Sequence, residues 1–445
     1  MHSFHGFARS LAPLAVFAIA AVDDCLAAAQ LTVGPAGSGA TFEEIQAAID
    51  AAQAGDVILV APGNYGPIDV PKGVSILGAT SGGVVIDALF TVGAVVHDVP
   101  AGERVVLSGL DVRATPLFGF GANFSIGVHD CAATVVLHDV RAGLQPFSSG
   151  PGIGVNLRDC ERVLLLSSTI DGAGTDALAA VEVLRSELFM ADSTVVGLTN
   201  AFSGFISSGA MGLRADESTV RVWRSTLEGG DGSGGKPVFP GTAGNGGAGL
   251  VAIDSTVELF GGSVGELRGG DGGPPGLFGA IGQGASGLVL EQSAVVRVQV
   301  GIPVSAGVDG DGLGGPTATM VDGTSSLVLE SDVFPVISTT TALVASGTSA
   351  VLDLEGEPGS AHFLWAAAGL GPDLSIAGVE GVVVLDPSSL LLVGVIPLDG
   401  AGQAQLSVAV PATPSVLGAV VPLQSAAATA SGLALSNPLV VTIPD

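Results

Sequence analysis

Basic residues are scarce in this chain. Its 445 residues hold 14 Lys and Arg against 42 Asp and Glu, and only Lys72 and Lys236 are lysines. A net charge of −28 repels phosphate backbones and anionic headgroups, which excludes nucleic-acid binding and polybasic attachment to membranes. Rings are nearly as rare. Tyr65, Trp223 and Trp365 are the only tyrosine and tryptophans, too few for the platforms on which sugars usually stack. The 68 glycines lack the every-third-residue period of collagen, and a positive mean hydropathy excludes a disordered chain. Cysteine is limited to Cys25, Cys131 and Cys160, and the apolar run from Leu11 to Ala21 is too short to span a bilayer.

That run fits export instead. Arg9 precedes it and Ala27-Ala28-Ala29 follows as a small-x-small cleavage site, the layout of a secretory signal peptide over residues 1–29. The mature chain is therefore expected to be secreted or held at the cell surface, with no transmembrane span. Val22-Asp23-Asp24 before Cys25 puts acidic residues where lipid attachment wants small ones. Cys131 and Cys160 then remain, each preceded by aspartate. An even pair in an exported chain permits a disulfide, and two buried free thiols are the alternative.

Helical signals are confined to residues 41–54. Thr41 and Glu44 have the spacing of a capping box, Phe42, Ile45, Ala48, Ile49 and Ala52 share a face, and Gly55 ends the pattern. Beyond it, short β-branched runs alternate with Gly, Asp, Asn and Ser, and the runs repeat. Val105-Val106-Leu107, Val135-Val136-Leu137, Val163-Leu164-Leu165, Leu188-Phe189-Met190, Val220-Arg221-Val222, Val257-Glu258-Leu259, Val296-Arg297-Val298 and Leu327-Val328-Leu329 read as one position in successive units. Ile170, Val195, Leu227 and Val264 recur seven residues after four of these anchors. Units of 25–39 residues without a helix exclude ankyrin and tetratricopeptide arrays and are too short for propeller blades. A parallel solenoid remains: one coil per unit, loops of variable length, and a helix over 41–54 as the cap that an open end requires.

Two stretches carry a resemblance. Thr41-Phe42-Glu43-Glu44-Ile45-Gln46-Ala47-Ala48-Ile49 and Gly55-Asp56-Val57-Ile58-Leu59-Val60-Ala61-Pro62-Gly63-Asn64-Tyr65 resemble the opening of right-handed parallel β-helix proteins of the pectate-lyase-like superfamily. The resemblance implies an all-β, right-handed parallel β-helix over residues 30–345 and a habit of acting on polysaccharide, without fixing an activity. Residues 346–445 differ. No charge occurs from Gly400 to Pro444, Gln403 to Val410 alternates as a half-buried strand should, and the tail is similar to the C-terminal β-sandwich modules of large exported proteins. It is expected to anchor, sort or cap the solenoid.

Chemistry is harder to find. No histidine is flanked by glycine on both sides, and no Arg-x-Pro-x-x-Arg occurs, so the polygalacturonase and lyase signatures are missing. Gly230 to Lys236 has P-loop spacing, but Pro237 replaces the Ser or Thr that would hold magnesium. Arg141, Arg158, Arg185 and Arg214 recur about once per coil and could stand beside Asp139, Asp159, Asp192 or Asp216, although outward charges are usually just solvated. His129 and His138 are acid/base candidates whose simpler reading is an exposed ring beside a counter-charge. Asp231, Asp271, Asp309 and Asp311 sit in Gly-Asp loops 40 residues apart, where stacked carboxylates would suit Ca²⁺ and tight turns would explain them equally. Phe118, Phe202, Phe205, Phe239 and Phe278 fall in Gly/Pro-rich insertions and would line a lateral ligand wall or shield the sheet. The expected function is that of a non-catalytic structural or binding module for polysaccharide or a surface protein. The alternative is a polysaccharide lyase or glycoside hydrolase with a divergent site on the same lateral face.

Overall fold

The computed structural model describes residues 29–444, apart from 80–81, 90–91, 116–122, 145–151, 175–178, 200–207, 235–242, 262–264, 276–279, 342 and 414–415. The expected signal peptide lies outside the described residues but for Ala29, as do Phe118, Phe202, Phe205, Phe239 and Phe278.

Three long parallel sheets form a solenoid. Sheet 1 has 11 strands, from Gln30–Val33 to Ser326–Glu330. Sheet 2 runs from Gly63–Tyr65 to Val304–Ser305, and sheet 3 from Ile68–Val70 to Thr319–Val321. The eight repeated triplets stack in one continuous register on sheet 1: Val105, Val135, Val163, Leu188, Val220, Val257, Val296 and Leu327 are successive partners. These residues point inward and, down to Val296, are fully buried, so each coil adds an apolar layer to one core. Sheet 2 carries the second row, in which Ile170, Val195 and Leu227 are partners as their spacing suggests. Leu267 is the next partner, after Leu227, and Val264 lies outside the described residues.

Single-residue corners turn the chain between sheets. Asp98, Asp130, Asp159, Arg185, Glu217 and Asp254 lead from sheet 3 into sheet 1, all at φ between 44° and 54°. Asp139, Ser167, Asp192 and Arg224 lead from sheet 1 into sheet 2 in the same left-handed conformation. That conformation is strained for a residue with a side chain, and it is held because each corner N–H donates to a carbonyl of the next coil, as Asp130 does to Arg158 at 2.9 Å. The residue after each corner turns inward. Ser186, Ser218 and Ser255 each donate Oγ to the carbonyl two residues back and accept the N–H of the residue one coil before. Cys131 and Cys160 occupy the same row and make the same bond, Sγ to the carbonyls of His129 and Arg158 at 3.2 Å. Both are buried free thiols, so of the two alternatives for the pair the structure holds the thiols and not the disulfide.

The helix is shorter than its pattern, Ile45–Ala51. The capping box does not form: Glu44 is the N-cap residue but makes no side-chain cap bond, and Thr41 turns its hydroxyl to Thr32. Tertiary contacts hold the helix instead. Ile45, Ala48 and Ile49 are buried against the first coil, and Lys72 Nζ donates to the Ile49 and Ala52 carbonyls at 3.0 and 2.9 Å, a cation at the helix C-terminus.

Antiparallel pairing begins at Val336–Thr339, ten residues before the expected boundary, because this strand pairs with Ser349–Glu355 and no longer with a coil. Gln403–Ala409 joins the same sheet with the alternating burial its sequence predicts. A second sheet contains Ala361–Ala366, Leu391–Pro397 and Ala419–Ala428. This domain lies along the flank of sheet 1. Phe334 packs on Phe260 with centroids 4.1 Å apart, Arg224 pairs with Glu355, and Thr442 reaches back to Ser108 at 3.3 Å.

Candidate functional site

The outer face of sheet 2 concentrates the exposed chemistry. Along Val84–Leu89, Leu110–Thr115, Arg141–Leu144 and Thr169–Gly174 the inward positions are Ile86, Val112, Ala142 and Ile170, all buried. Period-two alternation then forces Asp87, Asp111, Arg113, Arg141 and Asp171 outward. Register places Asp87 against Arg113 and Asp111 against Arg141. Asp111 is only 4% exposed and is gripped by Arg113, whose Nε lies 3.1 Å from both carboxylate oxygens and whose Nη2 completes the fork. Asp171 lies 3.9 Å from Arg141 Nη2. Gly143, partner of Arg113, leaves a notch, since a Cβ there would meet the Asp171 side chain at 3.4 Å.

The two carboxylates have different environments. Desolvation pushes Asp171 above the usual carboxylate range, with Arg141 opposing and Asp111 adding to the rise. The bond from Asp111 pushes the Arg113 guanidinium further up. A desolvated carboxyl on the same face as one forked by an arginine gives two carboxylates unlike surroundings, which is how glycosidases separate acid from base. The sequence named neither residue as a site candidate.

The candidates that the sequence did name are dispersed. Arg185 forks onto the half-buried Asp159 at 2.7 and 2.8 Å, corner to corner, and Arg214 pairs with Asp216 at 3.0 Å. Asp192 pairs with Arg224 at 2.9 Å under the C-terminal domain. His129 Nε2 meets Asn156 Oδ1 at 2.9 Å, and Asn156 continues to Glu182. His138 is not an exposed ring: it is wholly buried where Thr442 covers sheet 1, bonded through Nδ1 to Ser108. Its neighbour Asp139 is a corner.

Asp231, Asp271, Asp309 and Asp311 do not converge, and among the described residues no group of three or more His, Cys, Asp or Glu is placed to hold a metal. Their carboxylates accept backbone hydrogen bonds instead. Asp271 N–H donates to Asp231 Oδ1 at 2.8 Å, Val308 N–H to Asp271 Oδ1 at 2.9 Å, Gly284 N–H to Asp309 Oδ1 at 2.9 Å and Leu313 N–H to Asp311 Oδ1 at 2.9 Å. Asp231 and Asp271 thus bridge coils through the backbone, whereas Asp311 closes its own turn.

A second site went unseen in the sequence. Where the C-terminal domain meets sheet 1, a cavity of about 160 Å³ is lined by Phe189, Trp223, Phe260, Phe334, Arg221, Arg297, Glu258 and Glu380, among others. Phe189, Arg221, Glu258 and Arg297 are the middle residues of four repeated triplets, one outward row in consecutive coils. Arg221 bonds Glu187 and Glu258, and Arg297 bonds Glu258, Glu330 and Glu380, so every charge of the row is paired. The alternating Arg, Glu, Arg at the centre of those triplets was the available signal.

No protein-family model matches the chain, and no curated protein matches it in sequence.

Proposed function

We propose that the chain is an exported, non-catalytic member of the pectate-lyase-like β-helix type, acting outside the cell as a structural or binding module for polysaccharide or a surface protein. What supports this reading most is the fate of its reactive groups. The Gly-loop aspartates are bonded to backbone, the two thiols belong to a corner ladder, His138 is sealed under a domain, and the Arg/Glu row of sheet 1 is closed by Glu380. The test is retention of the mature chain in native gels cast with neutral or uronate polysaccharides. Slowed migration on one class supports the reading, and free migration in all of them turns it toward a protein partner.

One observation favours the alternative, a glycoside hydrolase or lyase. Asp111 and Asp171 sit on one outer face in the contrasting environments such an enzyme needs. That reading requires turnover that disappears in Asp171→Asn.

A further inference from the structure

The rows that fill the core stay buried until the last coil. Val296 and Val298 are at most 4% exposed, yet their partners Leu327 and Leu329 are half-buried and 67% exposed. On sheet 3 the buried Leu290 is followed by Val321 at 41%, and on sheet 2 the buried Leu267 by the half-buried Val304. These four side chains form an apolar plug facing along the solenoid axis. Around it run the strands Ser326–Glu330, Thr319–Val321 and Val304–Ser305, each paired with the coil before it and, among the described residues, with no strand beyond. An edge of this kind invites pairing. The C-terminal domain does not cover it, because the chain folds back at once: Phe334 already lies on Phe260, and the domain continues along sheet 1 to Ser108.

We propose that this open end docks on the open end of a second copy of the chain, tail to tail about a two-fold axis. The opposite end is sealed by the helix Ile45–Ala51, which excludes a head-to-tail filament. Under a two-fold axis the two chains circulate in opposite senses. Facing edges then run antiparallel and can exchange N–H and C=O bonds, while plug meets plug. The carboxylates on the rim are already satisfied. Glu330 is bound by Arg297 at 2.9 Å, and Asp322 accepts the N–H groups of Gln292, Thr324 and Ser325, which holds it well below the usual carboxylate range. The contact therefore brings together apolar side chains, with both of these carboxylates already bonded. Beyond it, two strongly acidic molecules repel, so added salt tightens the dimer.

Sedimentation velocity of the mature chain across concentration tests this. The expected result is a dimer that strengthens with salt. Leu329→Glu and Val321→Glu, both at exposed positions, should each weaken it at least tenfold with circular dichroism and melting unchanged. Ala51→Glu on the capped end should leave it intact. A monomer at every concentration overturns the proposal, as does a dimer that Leu329→Glu leaves intact or that Ala51→Glu dissociates.

Discussion

At the residue scale the solenoid depends on two adjacent positions per corner, one that tolerates a left-handed backbone and one whose small polar side chain bridges coils. Cysteine serves in the second position as serine does. The two thiols are coupled to each other, which lowers the Cys131 thiol and raises that of Cys160. The double variant Cys131→Ser/Cys160→Ser should therefore fold normally and unfold in urea within about 1 kcal/mol of wild type. A loss of several kcal/mol would contradict the shared role. Buried histidine sets the acid limit. Burial pushes both His138 and His362 down to about 4, so below about pH 6.5 the unfolded chain takes up protons that the folded chain refuses. Their contribution is complete above that pH and falls away toward pH 4, by about 3 kcal/mol for each ring. Asp192 works the other way. Desolvation, opposed by Arg224, pushes it up to about 6, so between there and the usual carboxylate value the folded chain takes the proton first and gains stability as pH falls. Two histidines against one aspartate leave a net loss of about 3 kcal/mol on acidification, and His138→Leu should remove much of it. Equal urea stability of wild type at pH values near 7 and 4.5 would contradict this.

At the element scale the glycine-rich loops form a wing that only glycine can build. Gly247 N–H donates to Gly230 O and Gly270 N–H to Gly247 O, both at 2.8 Å, so loops of different coils pack backbone on backbone. A Cβ at Gly270 would meet Gly230 O at 2.0 Å, whereas one at Gly323 meets nothing within 4 Å. Gly270→Ala should open the wing, read as faster amide exchange over residues 229–234, 243–249, 269–275 and 280–287, while Gly323→Ala should be silent. Protection unchanged in Gly270→Ala would show that the loops do not pack this way. With their carboxylates on backbone N–H groups, the wing aspartates predict no dependence on calcium: melting should be the same with the ion and with chelator. A rise of several degrees with calcium would restore the metal site that the spacing suggested.

The same elements show what a sequence discloses. Triplet periodicity fixed the register of sheet 1 coil by coil, because an inward row tolerates only apolar side chains and each apolar run therefore marks its place. Spacing alone did not point to Leu267, which follows Leu227 in the row because the run between anchor and partner is longer in that coil. Asp111 and Asp171 were invisible because carboxylates 60 residues apart come onto one face only once coils are stacked. The cavity over Trp223 depends on which flank the C-terminal domain chooses, and nothing local encodes that choice.

At the scale of the whole molecule, the C-terminal domain lies along sheet 1 and is tied there by Arg297 to Glu380, Arg224 to Glu355 and Arg162 to the Gly371 carbonyl. It closes one lateral face, sheet 1, and does not lie on sheet 2, where the side chains of Arg113 and Arg141 are exposed. Binding without turnover on sheet 2 is the centre of this account. The most direct test is a time course of the mature chain with neutral and uronate polysaccharides, reading new reducing ends and unsaturated products. Neither the wild type nor Asp171→Asn should yield any. Products that accumulate with the wild type and vanish in Asp171→Asn would contradict it and make the carboxylate pair a catalytic site.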